Sequence, residues 1–100
     1  MKKNLTHKEI LAYLRSHKGY LQNEFGVVNI GLFGSYAKGK QTTDSDIDFL
    51  VEFKEARFDW LAGLQLYLEK SLSRPIELVR KGKKVNSRFS KRIEKEVIYA

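Results

Sequence analysis

Two aspartates, Asp46 and Asp48, stand two residues apart in "SDIDFLVEF", and a glycine–serine pair, Gly34-Ser35, lies upstream in "GLFGSYAKGK". Side chains two apart on a strand leave the same face, about 6–7 Å apart along the chain. Two hard oxygen donors at that spacing suit a pair of Mg²⁺ ions, which sit about 4 Å apart in two-metal sites. Gly34 has no side chain to keep a ligand from the backbone. Ser35, where a strand turns into a helical turn, offers a hydroxyl and neighbouring amides to a phosphate. A third acid, Glu77, sits in "PIELV"; a parallel neighbour of the aspartate strand would bring it beside Asp48. The plain alternative is that Asp46 and Asp48 form the solvent side of an alternating strand. The wholly apolar opposite face and the Gly-Ser turn leading into the same sheet edge weigh against it.

The same stretch nearly spells a Walker A phosphate loop at Gly34, Gly39 and Lys40, but Gln41 stands where that loop needs a hydroxyl for Mg²⁺. A Walker loop must also open a long helix, and here turn-forming residues follow at once. That reading is set aside, and Lys40 loses its special role. A Gly-x-Ser-x-Gly nucleophile elbow fails as well, because the glycines flanking Ser35 are Gly34 and Gly39.

The elements that must position these residues follow from pattern. Thr6-His7-Lys8-Glu9 fits a capping box, and Ile10, Leu11, Leu14, Leu21 and Phe25 continue with helical spacing. This predicts a helix over about 6–24, bent near Gly19. "VVNIGLF" (27–33) is β-branched and aromatic and ends at Gly34-Ser35, so it reads as a strand. "SYAKG" predicts a short helical turn closed by Gly39. "DIDFLVEF" (46–53) predicts a strand with Ile47, Phe49, Val51 and Phe53 on one face and Asp46, Asp48, Leu50 and Glu52 on the other. Residues 58–72 carry a helical stripe at 61, 64, 68 and 72, with Trp60 and the leucines as core. "PIELV" (75–79) predicts a short strand, and 87–98 a final helix with Phe89, Ile93 and Val97 on one face. The order is α-β-short α-β-α-β-α: an α+β, two-layer fold with a small mixed sheet and helices packed on it, in a single domain over 1–100.

Composition narrows the class. There is no cysteine, which excludes disulfides and thiolate metal sites. No run of 18 apolar residues occurs, and the lysine-rich start lacks the apolar core of a signal peptide, so the reading is of a soluble, cytoplasmic protein with no membrane contact. The net charge of +7 is local: residues 80–95 hold eight basic side chains and one acid, and the rest of the chain is neutral. Arg88, Lys91, Arg92 and Lys95 read as one helix face, either simply solvated or contacting NTP phosphates, RNA or an acidic stripe on a partner. His7 and His17 are too isolated to share a metal.

Gly34-Ser35-x-Ala37-x-Gly39 followed by Ser45-Asp46-x-Asp48 and an apolar strand resembles the minimal nucleotidyltransferases of the polymerase-beta-like superfamily, and the resemblance spans nearly the whole chain. It implies a nucleotidyltransferase fold and transfer of a nucleoside monophosphate from ATP or another NTP to a hydroxyl, with pyrophosphate leaving. Asp46 and Asp48 would hold two Mg²⁺ ions and Gly34 and Ser35 the nucleotide. Glu77 stands at the family's third carboxylate, which helps bind the catalytic metal and activate the acceptor hydroxyl. That position is usually Asp, so the reach of Glu77 differs by one methylene. Small members resemble the antitoxin half of toxin–antitoxin pairs whose partner is a helical HEPN ribonuclease, silenced by addition of AMP to a tyrosine. The expected partner is therefore a HEPN-type toxin, in a hetero-oligomer. Two alternatives stand beside it: a catalytically weak module that neutralises its partner by contact, and a transferase acting on RNA through the basic C-terminal segment or on a small-molecule hydroxyl.

Overall fold

The computed structural model describes residues 5–81 and 88–100, with 88–90 as backbone only. A four-stranded mixed sheet in the order β3-β2-β1-β4 carries helices on both faces. The elements run α1 (His7–Ser16), α2 (Lys18–Phe25), β1 (Val27–Phe33), α3 (Gly34–Lys38), β2 (Ile47–Phe53), α4 (Phe58–Leu72), β3 (Ile76–Arg80), α5 (Arg88–Glu96) and β4 (Ile98–Tyr99). This is the expected α+β arrangement, with two differences.

The first is at the N-terminal helix, which breaks at His17 rather than bending at Gly19. The Thr6–Glu9 capping box forms as expected and starts α1. Three donors then converge on the Tyr13 carbonyl: the His17 amide at 3.1 Å, the Ser16 hydroxyl at 3.0 Å and the His17 ring Nδ1 at 2.8 Å. Side-chain bonds that compete for a helical carbonyl end the regular ladder, and the His17 ring stacks on Tyr13 at 4.0 Å between centroids. The second difference is β4, a two-residue strand beyond the last helix that pairs antiparallel with β1 through Gly31 opposite Tyr99 and Leu32 opposite Ile98. The final helix accordingly ends at Glu96, not 98.

The larger core lies on one face of the sheet, where Ile10, Leu14 and Leu21 of α1 and α2 and Leu64 and Leu68 of α4 meet Ile47, Phe49 and Val51 of β2. Ile76 and Leu78 of β3 join it, as expected. The expected stripe of α4 is buried at Leu64, Leu68 and Leu72, while Leu61 and Trp60 are only half-buried and Leu66 is exposed. Trp60 is not a core residue but a flap. Its ring covers Gly26, where a Cβ would stand 2.3 Å from it, and the Arg57 guanidinium sits 4.6 Å above it.

The opposite face carries a smaller core in which Ile93 of α5 packs with Phe33 and Leu50, with Val79, Val97 and Tyr99 around them. Of the expected face of the last helix, Ile93 and Val97 pack there; the Phe89 side chain lies outside what is described. The alternation of β2 is therefore resolved into two cores: Ile47, Phe49 and Val51 on one side, and Leu50, flanked by Asp48 and Glu52, under α5 on the other.

Candidate active site

The register of three strands assembles the acids. β1 and β2 are antiparallel with Phe33 opposite Asp48, and β2 and β3 are parallel with Asp48 opposite Glu77. The parallel pairing is locked at its start by the Ile47 amide, which donates to the Pro75 carbonyl at 3.0 Å. Gly34, immediately after β1, adopts φ +79°, and a Cβ there would lie 2.2 Å from Asp48 Oδ2. The Asp48 carboxylate thus rests against the Gly34 backbone, and any side chain at 34 would have to displace it. Gly34, Asp48 and Glu77 consequently share one edge of the sheet on the α5 face.

Ser35 follows in α3, half-buried, and its carbonyl accepts from the Lys40 amide at 2.9 Å, closing the turn at Gly39. Among the described residues no protein group hydrogen-bonds the Ser35 hydroxyl. Asp46 lies one residue ahead of β2 rather than on it, and is exposed. The loop before it is held by a Ser/Thr turn: the Thr42 amide donates to the Ser45 hydroxyl at 2.8 Å, and the Ser45 amide to the Thr42 carbonyl at 3.2 Å. Those polar side chains satisfy the backbone locally and let Asp46 leave the sheet edge.

Electrostatics single out Asp48. Its pKa is raised to about 6, first by burial, then by the neighbouring charges of Glu77 and Asp46 and by a hydrogen bond shared with the Glu77 carboxyl. Among the described residues no cation contributes to that shift. Three hard-oxygen donors repelling one another without a counter-charge form a donor set whose chemistry fits a divalent cation. Among the described residues no three acids close on an ion as they stand, so the set would be completed by rotation of the two exposed side chains, Asp46 and Glu77.

The other functional residues marked in the sequence separate. Lys91, Arg92 and Lys95 of α5 are all exposed, but helical geometry divides them. With Ile93 in the core, Lys91 and Lys95 project to solvent and Arg92 lies on a flank with Glu96. The basic residues 83 and 84 lie outside the described residues. Glu96 makes an ion pair with Lys38 of α3 at 3.1 Å, a link between the last helix and the glycine–serine turn that no local pattern signals, because its partners are 58 positions apart. At the far end of the sheet the Lys81 ammonium donates to the Tyr99 hydroxyl at 3.2 Å. Its pKa is raised, first by that bond, then by the charges of Tyr99, Glu52 and Glu94. A surface hollow of about 210 Å³, lined by Lys18, Leu21, Gln22 and Val28 among others, contains none of the carboxylates.

Residues 14–100 match a family model described as a nucleotidyltransferase domain. The chain belongs to this nucleotidyltransferase family. It is 41% identical over 96 residues to the protein adenylyltransferase MntA of Thermococcus cleftensis, covering 95% of this chain and 96% of that protein. It is 42% identical over 98 residues to a candidate protein adenylyltransferase of Methanocaldococcus jannaschii, covering 94% and 97%. A solved structure of a candidate minimal nucleotidyltransferase superposes with a TM-score of 0.78 at 28% identity, over 97% of this chain and 98% of that one. A toxin–antitoxin crystal structure with AMP-PNP shares the fold, with a TM-score of 0.66 at 24% identity over 95% of this chain and 72% of its own. The nucleotidyltransferase fold expected from the sequence is thus the fold observed, and the enzyme class follows with it. No helix among the described residues of this nucleotidyltransferase is long and apolar enough to cross a membrane.

Proposed function

We propose that this nucleotidyltransferase transfers AMP from ATP to a hydroxyl of a partner protein, and that the partner is a HEPN-type toxin that the modification silences. The observation that carries the chemistry is the register that sets Glu77 beside Asp48, with the Asp48 carboxylate against Gly34. The protein acceptor is supported by the relatives named as protein adenylyltransferases, and the toxin partner by the toxin–antitoxin description of a protein with the same fold.

In this reading Asp46, Asp48 and Glu77 hold Mg²⁺, and the Gly34 backbone and Ser35 hydroxyl receive phosphate oxygens. Bound Mg²⁺ supplies charge neutralisation of the triphosphate and acidifies the acceptor hydroxyl. Asp48 must shed its proton to serve as a ligand; burial and the neighbouring acids oppose this in the metal-free protein, and a bound dication would favour it. Glu77, exposed at the site edge, accepts the proton of the attacking hydroxyl. The acceptor oxygen bonds to the α-phosphorus as the bond to the bridging oxygen of pyrophosphate breaks.

The test uses α-phosphate-labelled ATP, Mg²⁺ and the purified HEPN-type protein. Label should appear on the partner and vanish with Asp46→Asn plus Asp48→Asn; unchanged transfer by that double variant would sink the reading. Label appearing on added RNA instead would reassign the acceptor. Neutralisation of the partner in cells by the double variant would assign the antitoxin effect to contact alone.

A further inference from the structure

Among the described side chains of the last helix, the basic ones divide between two surfaces, although charge spacing alone groups them on one. On its α5 face β2 reads Asp48, Leu50, Glu52. Leu50 is covered by Ile93, so α5 crosses β2 there, and the two acids emerge on its two sides, each about 7 Å along the strand from Leu50. The flanks of α5 can then be identified. Glu94 acts on Lys81, which reaches Tyr99 at the Glu52 side. Glu96, on the opposite flank, pairs with Lys38 of α3 on the Asp48 side. Arg92 is one turn before Glu96 on that same flank, and i, i+4 side chains lie one above the other.

The position along the helix is fixed as well. The end of α5 sits over β1, where a Cβ at Gly31 would lie 2.4 Å from Val97 Cγ2. One turn back, Ile93 clusters with Phe33 of β1 and Leu50 of β2. Arg92, next to Ile93, therefore borders the stretch of sheet edge where Gly34 and Asp48 meet. Its side chain is exposed, and its charge does not enter the balance at Asp48.

We propose that Arg92 binds the β- and γ-phosphates of the nucleotide, standing on the opposite side of the triphosphate from Asp46, Asp48 and Glu77 and holding the pyrophosphate as it leaves. The planar guanidinium suits paired phosphate oxygens in a way a lysine does not. Lys91 and Lys95, directed away from the sheet, take no part. The proposal rests on the nucleotidyltransfer reading and adds to it the residue that recognises the leaving group.

Titration calorimetry with Mg-ATP and, separately, with AMP tests it. Arg92→Ala should weaken Mg-ATP binding about tenfold or more, the loss of a charge-assisted hydrogen bond, and AMP binding less than about twofold. Arg92→Lys should fall between wild type and Arg92→Ala. Lys91→Ala, on the same helix with the same loss of charge, should leave both affinities within about twofold. The proposal is overturned if Arg92→Ala weakens AMP as much as ATP, or weakens ATP no more than Lys91→Ala does. A wild-type protein that binds neither nucleotide overturns the nucleotidyltransfer reading itself, and Arg92's role with it. Wild-type binding undisturbed by Arg92→Ala overturns only the role of Arg92.

Discussion

The two ends of β2 place an acid on the same face of the same strand and treat it in opposite ways. Asp48 emerges beside two further carboxylates, against a glycine backbone, with no cation among the described residues in its charge balance. Glu52 emerges where Lys81, bonded to Tyr99, responds to its charge. Leu50 between them is sealed under Ile93. One end has its charges matched within the protein, as an end devoted to stability would. The other is left unmatched, and a group of like charges concentrated without a partner is what a cation and a polyanion could resolve. The contrast can be broken by substitution at either end.

The largest effect is expected at Asp48. Asp48→Asn should reduce AMP transfer about a thousandfold, on the scale of losing a principal electrostatic or metal contact at a transition state. The same change should stabilise the metal-free protein. Because the folded pKa of about 6 exceeds the ordinary carboxylate value, the folded state holds the proton more tightly than the unfolded one. Stability is therefore lost as pH rises from about 4 to about 6 and stays lost above. After discount for the half-exposed position the gain is about 1 kcal/mol at pH 7, or about 4–8 °C in Tm for a domain of this size. Thermal melts in EDTA check it, and a lower Tm would contradict the picture of an unmatched charge. Added Mg²⁺ should raise the Tm of the wild type and leave that of Asp48→Asn unchanged.

Gly34→Ala is the next largest. It combines a left-handed backbone with a contact of 2.2 Å to Asp48. About 2–4 kcal/mol of destabilisation is expected, seen as a lowered denaturation midpoint in urea. Adding Asp48→Asn should not restore it, since the amide is no smaller than the carboxylate. The paired variant Asp48→Gly with Gly34→Ala should recover part of the loss, leaving the cost of the backbone conformation.

Glu77→Gln sharpens the electrostatic side of the comparison. Removing the Glu77 charge and its shared proton takes away two of the causes that raise Asp48, while burial, the first cause, remains. The Asp48 midpoint, followed by carboxyl-carbon NMR, should fall part-way from about 6 and stop short of the ordinary carboxylate range. A midpoint that did not move would mean that the register neighbours do not interact.

Much of this arrangement is legible in side-chain pattern alone. The period-two alternation of β2, the parallel placement of Glu77 and the β1 strand ending at Gly34 follow from that pattern and from the requirement that a strand–helix–strand unit return in parallel. The acids are legible as a spacing, and the strands keep it, except that Asp46 leaves β2 because the Thr42–Ser45 turn satisfies its own backbone. What local pattern does not supply is contact between distant segments. The two-residue β4 is too short to leave a periodic signal. The break at His17 depends on competition for one carbonyl. The division of the basic helix into a solvent side and a site side requires knowing that Ile93 lands on Leu50. Charge spacing on a helix defines its faces but not which neighbour each face meets.

The smallest effect is expected at the other end. Lys81→Met removes the ammonium that donates to Tyr99 and lies 5.3 Å from its ring while keeping most of the aliphatic stem. The folded pKa of Lys81 is raised, so its contribution is fully present at neutral pH and is lost only as pH climbs past the ordinary lysine range, the reverse of the Asp48 case. The site is largely exposed to water and salt, so the cost should be about 0.5 kcal/mol or less at pH 7. AMP transfer should be unchanged, because Leu50 and Ile93 separate Lys81 from the carboxylates. The decisive measurement is the pair of stability profiles between pH 4 and pH 7. Lys81→Met should keep the fall expected of the wild type and Asp48→Asn should lose it. If instead Lys81→Met flattened that fall, the two ends would share one charge network through the small core under α5, and the separation of a matched end from an unmatched one would not hold.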